Sequence, residues 1–148
     1  MGEAVLAVLD EEAEALGGMT MGADPVAVAT AVVAAIQGRA LRSFSVRKDR
    51  KDHGATDEIG MGRLVGPVKR GDRVAVVDDT VTTGGALIEA AEVLTAAGVA
   101  VIQGVALVDR SDGLVARRMQ PLGIPFVALL TPADLGVDEA AVDGQGVD

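Results

Sequence analysis

The run Val74–Ala86, VAVVDDTVTTGGA, constrains this chain more than any other stretch. Its apolar start, Val74–Val77, reads as a strand covered on both faces, as in a parallel sheet. The strand delivers Asp78 and Asp79 to its carboxyl end, where open α/β sheets bind ligands. Thr80–Gly85 then turn into the N-terminus of a helix. Gly84 and Gly85 let backbone N–H groups come close to an anion, the hydroxyls of Thr82 and Thr83 add donors, and the helix dipole favours negative charge. One end of the run suits a phosphate. The other presents two carboxylates, which suit ribose hydroxyls or a hydrated Mg²⁺. A phosphorylated sugar laid between the two ends satisfies both.

The rest of the chain supplies the frame. At 148 residues it has room for one α/β domain. Glu3–Leu16 reads as a helix stopped by Gly17 and Gly18. Asp24-Pro25 reads as an N-cap and first helical residue, opening a helix to Gln37 that is apolar almost all round and so expected to be buried. Leu41–Arg47 reads as a strand and Lys48–Gly62 as a mobile, glycine-bearing loop. Arg73–Asp79, Val99–Asp109 and Ile124–Leu130 read as further strands. Between them come a helix over Gly85–Ala97, closed by Gly98, and a short helix capped by Ser111 or Asp112 that ends before Pro121. Strands alternating with helices predict an α/β fold with a mostly parallel central sheet flanked by helices.

Two rival motifs fail on their residues. A receiver-type domain needs a third Asp downstream, which Asp109 could supply, and a Lys beside a Pro on a later strand end; Leu129-Leu130-Thr131-Pro132 has none. A Walker-type phosphate loop is excluded because GxxxxGK[ST] is absent.

Charge narrows the partners. The net charge of −9 and the presence of only two aromatic residues, Phe44 and Phe126, argue against a nucleic-acid or anionic-membrane binder. Ten of the 13 Lys and Arg residues nevertheless lie between Arg39 and Arg73, which suggests a local anionic ligand. There is no cysteine, so thiolate metal sites and thiol nucleophiles are absent. No apolar run is long enough to span a bilayer, and the acidic start lacks the basic region of a secretory signal. A cytoplasmic setting is the default expectation.

Val74–Ala86 resembles the thirteen-residue motif with which type I phosphoribosyltransferases bind 5-phosphoribosyl-1-pyrophosphate (PRPP). Within that superfamily, roughly Gly17–Gly136 looks most like orotate phosphoribosyltransferase. Val46-Arg47-Lys48-Asp49-Arg50-Lys51-Asp52-His53-Gly54 is similar to that family's catalytic loop, and Gly17–Pro25 to its pyrophosphate loop and the helix behind it. Val108-Asp109-Arg110 and Leu129–Leu135 match later segments. The resemblance implies a type I phosphoribosyltransferase fold of Rossmann-like kind with a flexible catalytic loop. It implies transfer of phosphoribosyl from PRPP to orotate, with Mg²⁺ as cofactor, in a homodimer.

Carried over residue by residue, it implies that Lys51, His53, Asp78 and Asp79 are catalytic. It implies that Thr82, Thr83, Gly84, Gly85, Ala86, Arg47, Lys48, Thr20 and Met21 bind PRPP and its phosphates, and that Thr82 and Arg110 contact the base. Mg²⁺ would be held mainly through PRPP and water, with Asp78 and Asp79 nearby. Two departures stand out. Met21 occupies a position where the family often has Lys, so that loop must rely on backbone N–H groups and Thr20, and Met19 and Met21 read as packing residues. Nothing before Gly17 resembles the family's N-terminal hood over the base. The expected organisation is therefore a helix over residues 1–16 in place of the hood, a core over residues 17–136 and a disordered tail over residues 137–148. The missing hood leaves two alternatives open: an acceptor base other than orotate, or a PRPP- or nucleotide-binding regulator without catalysis.

Overall fold

The structure is a computed structural model that describes residues 1–49 and 62–136. In chain order the elements are α1 (Gly2–Val8), β1 (Ala15–Met19), α2 (Ala23–Ile36), β2 (Arg42–Val46), β3 (Leu64–Val65), β4 (Arg73–Val81), α3 (Gly85–Ala96), β5 (Ala100–Asp109), α4 (Leu114–Met119), a 3₁₀ turn (Gln120–Leu122) and β6 (Phe126–Leu130). Among the described residues the strands form one sheet in the order β3-β2-β1-β4-β5-β6. All pairings are parallel except that of the two-residue β3 with β2. The expected α/β fold is the one observed.

Alternation along β4 explains the two layers. Val74 and Val76 face one side of the sheet and pack with Leu87, Ala90 and Leu94 of α3 and Val115 and Met119 of α4. Ala75 and Val77 face the other side and pack with Val5 of α1 and Val26, Ala27 and Ala34 of α2. A strand buried on both faces needs an unbroken apolar run, and Val74–Val77 are all buried.

The N-terminal segment differs from expectation. The helix is shorter than Glu3–Leu16, and Gly17 and Gly18 lie inside the strand β1 instead of stopping a helix. Crowding gives the reason. A Cβ at Gly17 would stand 2.1 Å from the carbonyl oxygen of Phe44, and one at Gly18 would stand 2.3 Å from that of Val77. The two glycines let β1 fit between β2 and β4.

Helix α2 also departs in two ways. It begins at Ala23 without a side-chain cap, because the carboxylate of Asp24 accepts a 2.7 Å hydrogen bond from the Ser45 hydroxyl instead. It is not buried all round either. Val28 and Val32 are each 53% exposed and Ile36 is 81% exposed, since α1 and the sheet cover only its inner side. Neither Ser111 nor Asp112 is the N-cap of α4: that place is taken by Gly113, without a side-chain cap, and the Ser111 hydroxyl, two residues earlier, accepts the N–H of Val115 at 3.1 Å.

Candidate active site

Strand order locates the site. The chain lays down β1, β2 and β3 towards one edge of the sheet, then returns to add β4, β5 and β6 towards the other. The direction reverses between β1 and β4, and in open α/β sheets the crevice beyond the carboxyl ends of such a pair receives ligands. Two segments singled out from the sequence meet there.

The first is the loop after β1. The Thr20 N–H donates to the carbonyl of Val46 at 2.9 Å, which pins the loop beside the end of β2. The Thr20–Met21 peptide is cis. Met19 is buried as expected, but Met21 is 80% exposed and so is not a packing residue within this chain. The loop leaves the sheet edge at that point.

The second is the end of β4, which continues past Asp78 and Asp79 to Val81. The Asp79 N–H donates to the Asp78 carboxylate at 2.9 Å, and the Thr80 N–H to the Asp79 carboxylate at 2.6 Å. Half-buried Asp78 has its carboxyl pushed up to about 6, first by burial and then by its hydrogen bond with the Asp79 side chain and that neighbour's like charge. A carboxyl perturbed by burial and a close like-charged neighbour in a crevice marks a candidate functional position.

Gly22 joins the two segments. A Cβ there would lie 2.9 Å from Oδ1 of Asp78 and 3.0 Å from Oδ1 of Asp79. These obstacles are the ends of movable side chains, so Gly22→Ala is expected to fold with a melting temperature close to wild type while displacing both carboxylates. Turnover should fall at least about tenfold, the scale on which small misplacements act in pre-organised sites. Retention of wild-type kcat/KM would show that the carboxylates need no fixed position.

Beyond β4 the turn Thr82–Gly84 leads into α3. Thr82 and Thr83 are exposed. Gly84 takes φ +78°, the left-handed conformation that glycine adopts without strain, and a Cβ there would meet Val115 of α4 at 2.9 Å. The first N–H groups of α3, at Gly85 and Ala86, have no carbonyl within the helix to meet. The Thr83 hydroxyl accepts only a long 3.4 Å contact from Gly85. The expected turn into a helix N-terminus is thus formed.

The outer residues fall on the same sheet edge. Arg47 and Lys48 follow β2, whose last residue Val46 is registered with Met19. Arg110 follows β5, is exposed, and its N–H donates to Val81 at 2.9 Å. Lys51 and His53 lie outside the described residues. Much of the basic cluster is engaged elsewhere. Arg39 donates to the carbonyl of Asp10 at 2.9 Å, Arg42 pairs with buried Asp72 at 2.7 Å, Arg63 pairs with Glu89 at 2.6 Å, and Arg73 pairs with Glu12. The charge density that suggested an anion site is therefore partly structural.

Among the described residues no group of three or more His, Cys, Asp or Glu side chains is arranged to hold a metal ion. Among the described residues Asp78 and Asp79 offer paired carboxylate oxygens at the crevice, a set that fits Mg²⁺ retaining water and substrate oxygens better than a closed protein cage.

A switch-point crevice with a glycine turn and helix N-terminus on one side and paired carboxylates on the other has the features suited to a phosphorylated ribose. The chain belongs to the phosphoribosyl transferase domain family, which matches residues 15–134. Within the family it is similar to enzymes named for one acceptor. It is 41% identical to orotate phosphoribosyltransferase of Streptomyces coelicolor over 87% of this chain and 68% of that protein. It is 39% identical to that of Corynebacterium glutamicum over 89% of this chain and 67% of that protein. Among solved structures, orotate phosphoribosyltransferase of Mycobacterium tuberculosis in complex with PRPP superposes with a TM-score of 0.70 at 32% identity, covering 89% of this chain and 69% of that one.

Proposed function

We propose that this chain transfers the phosphoribosyl group of PRPP to orotate, giving orotidine 5′-monophosphate and pyrophosphate. The observation that carries the reading is the contact of the Gly22 loop with Asp78 and Asp79 beside the Thr82–Ala86 turn. It supports one binding surface for the pyrophosphate, the ribose and the 5′-phosphate. The likeness to orotate enzymes supports the acceptor.

In this reading the N–H groups and hydroxyls of Thr82, Thr83, Gly84, Gly85 and Ala86 hold the 5′-phosphate. Asp78 and Asp79 face the ribose hydroxyls and offset the positive charge that grows on the ribose as the bond to pyrophosphate breaks. Thr20 and the backbone at Met21, with Arg47 and Lys48, receive the pyrophosphate. Lys51 and His53 act on it as it leaves, and Thr82 and Arg110 contact the base. Bound Mg²⁺ would neutralise charge on the departing pyrophosphate, held through PRPP and water with Asp78 and Asp79 nearby. The enzyme is proposed to work in the cytoplasm as a homodimer. The exposed apolar stripe of Val28, Val32 and Ile36 on α2 supports pairing with a second copy.

Incubation with orotate, PRPP and Mg²⁺ should consume orotate, followed by its absorbance, with one pyrophosphate released per orotate. Pyrophosphate release with a different base but not with orotate would overturn the acceptor assignment. Binding of PRPP without turnover on any base would overturn catalysis.

A further inference from the structure

We propose that Arg118 is a positioning residue for the phosphate turn, an inference that rests on the 5′-phosphate being held by Thr82–Ala86. Its guanidinium donates a short hydrogen bond to the carbonyl oxygen of Thr83, 35 residues away in sequence. That oxygen belongs to the Thr83–Gly84 peptide. In a trans peptide the C=O and the following N–H point in opposite directions within one rigid plane. Holding the Thr83 oxygen towards α4 therefore fixes the Gly84 N–H on the side away from α4.

Gly84 makes such a constraint necessary. A glycine in the left-handed region has open to it conformations that other residues lack, so the plane before it is the part of the turn most able to rotate. A charged donor is stronger than a neutral one, and by polarising the carbonyl it also strengthens the N–H of the same peptide as a donor.

The helix carrying Arg118 is itself seated. Val115 packs against Gly84, and its N–H donates to the Ser111 hydroxyl. α4 begins directly after Arg110–Gly113, so one short helix links the loop beside the proposed base contact to the turn beneath the proposed phosphate. The neighbouring Arg117 carries the same charge on the same helix but is directed back at its own start, with only a 3.4 Å contact to the carbonyl of Asp112. Arg117 serves as an internal control for charge alone.

The test compares wild type with Arg118→Ala, Arg118→Lys and Arg117→Ala. Two readouts are used: calorimetric affinity for ribose 5-phosphate, which needs no turnover, and steady-state kinetics with PRPP. Arg118→Ala should weaken ribose 5-phosphate and raise KM for PRPP by about tenfold, with kcat within about twofold. That is the pattern for loss of an interaction made equally in ground and transition states. Arg118→Lys should recover part of the loss, and Arg117→Ala should stay within about twofold of wild type. Equal weakening by Arg117→Ala and Arg118→Ala would reduce the effect to general charge and overturn the proposal, as would unchanged affinity in Arg118→Ala. Wild-type binding of ribose 5-phosphate without turnover of orotate would overturn the proposed transfer to orotate and leave the role of Arg118 standing. Absence of ribose 5-phosphate binding by wild type would overturn both.

Discussion

Gly17→Val should leave little folded protein, and even Gly17→Ala should lower the urea midpoint by about 2 M, the shift expected for a loss of about 4 kcal/mol in a domain of this size. The first added carbon would lie 2.1 Å from the Phe44 carbonyl oxygen and 2.8 Å from its carbonyl carbon. Those atoms are main chain in the strand paired with Gly17. They cannot withdraw without opening the β1–β2 ladder. Retreat in the other direction is blocked because Gly18 already lies against the main chain of Val77. A loss of this size is a large part of the roughly 5–15 kcal/mol that holds an ordinary domain together. A Gly17→Ala protein with the wild-type midpoint would show that β1 can shift, and would undermine the account of why β1 contains two glycines.

The double substitution Asp78→Asn, Asp79→Asn should act in the opposite sense on stability while removing most activity. Loss of one pre-organised electrostatic partner of a charged transition state lowers turnover by about 10²–10³-fold, and the pair should lose at least that. Stability follows from the raised ionisation point of Asp78. The unfolded carboxyl ionises at its ordinary 3.8, whereas the folded one keeps its proton up to about 6. Between those values the folded state binds more protons, so wild-type stability falls as pH rises and the cost is complete above about 6. Asn carries no charge and escapes the cost. Thermal melts should therefore place the variant above wild type at pH 7.5, with the advantage shrinking as pH falls through 6 towards 4. A variant less stable than wild type at neutral pH would mean that the carboxylates make favourable contacts outweighing their burial. Activity within tenfold of wild type would remove them from the proposed chemistry.

The segment from Val74 to Ala86 was legible because each part obeys a local rule: an unbroken apolar run for a doubly covered strand, glycine where the backbone turns left-handed, and a helix start behind it. The places of Arg47, Lys48 and Arg110 followed because strand ends are readable from where apolar runs stop. β1 was not legible. Its sequence, ALGGM, has two residues of low strand propensity and follows an Ala- and Glu-rich stretch of helical character. What makes it a strand is the narrowness of the gap between β2 and β4, a property of the assembled sheet. The same holds for the contact of Gly22 with the two aspartates, which exists only because β1 and β4 are neighbours 59 positions apart in register. The bond from Arg118 to Thr83 was hidden for the same reason. The apolar pattern of α2 promised burial, but a pattern records what a surface avoids and does not name the element that covers it.

The pairing of Arg47 with Arg63 has a consequence for how the family can vary. The Arg47 N–H donates to the carbonyl of Arg63 at 2.8 Å, the Arg63 side chain returns a 2.9 Å bond to the carbonyl of Arg47, and Glu89 of α3 holds the same guanidinium. The polypeptide between these residues thus departs from and returns to one knot tied to the sheet and to α3. A cassette of different length or composition could be spliced in there without altering the register of any strand. Doubling its length would cost only about 0.6 kcal/mol in closure entropy. A change of length there leaves the scaffold of β1, β4 and α3 as it is, while the roles proposed for Lys51 and His53 tie the composition of the stretch to the chemistry.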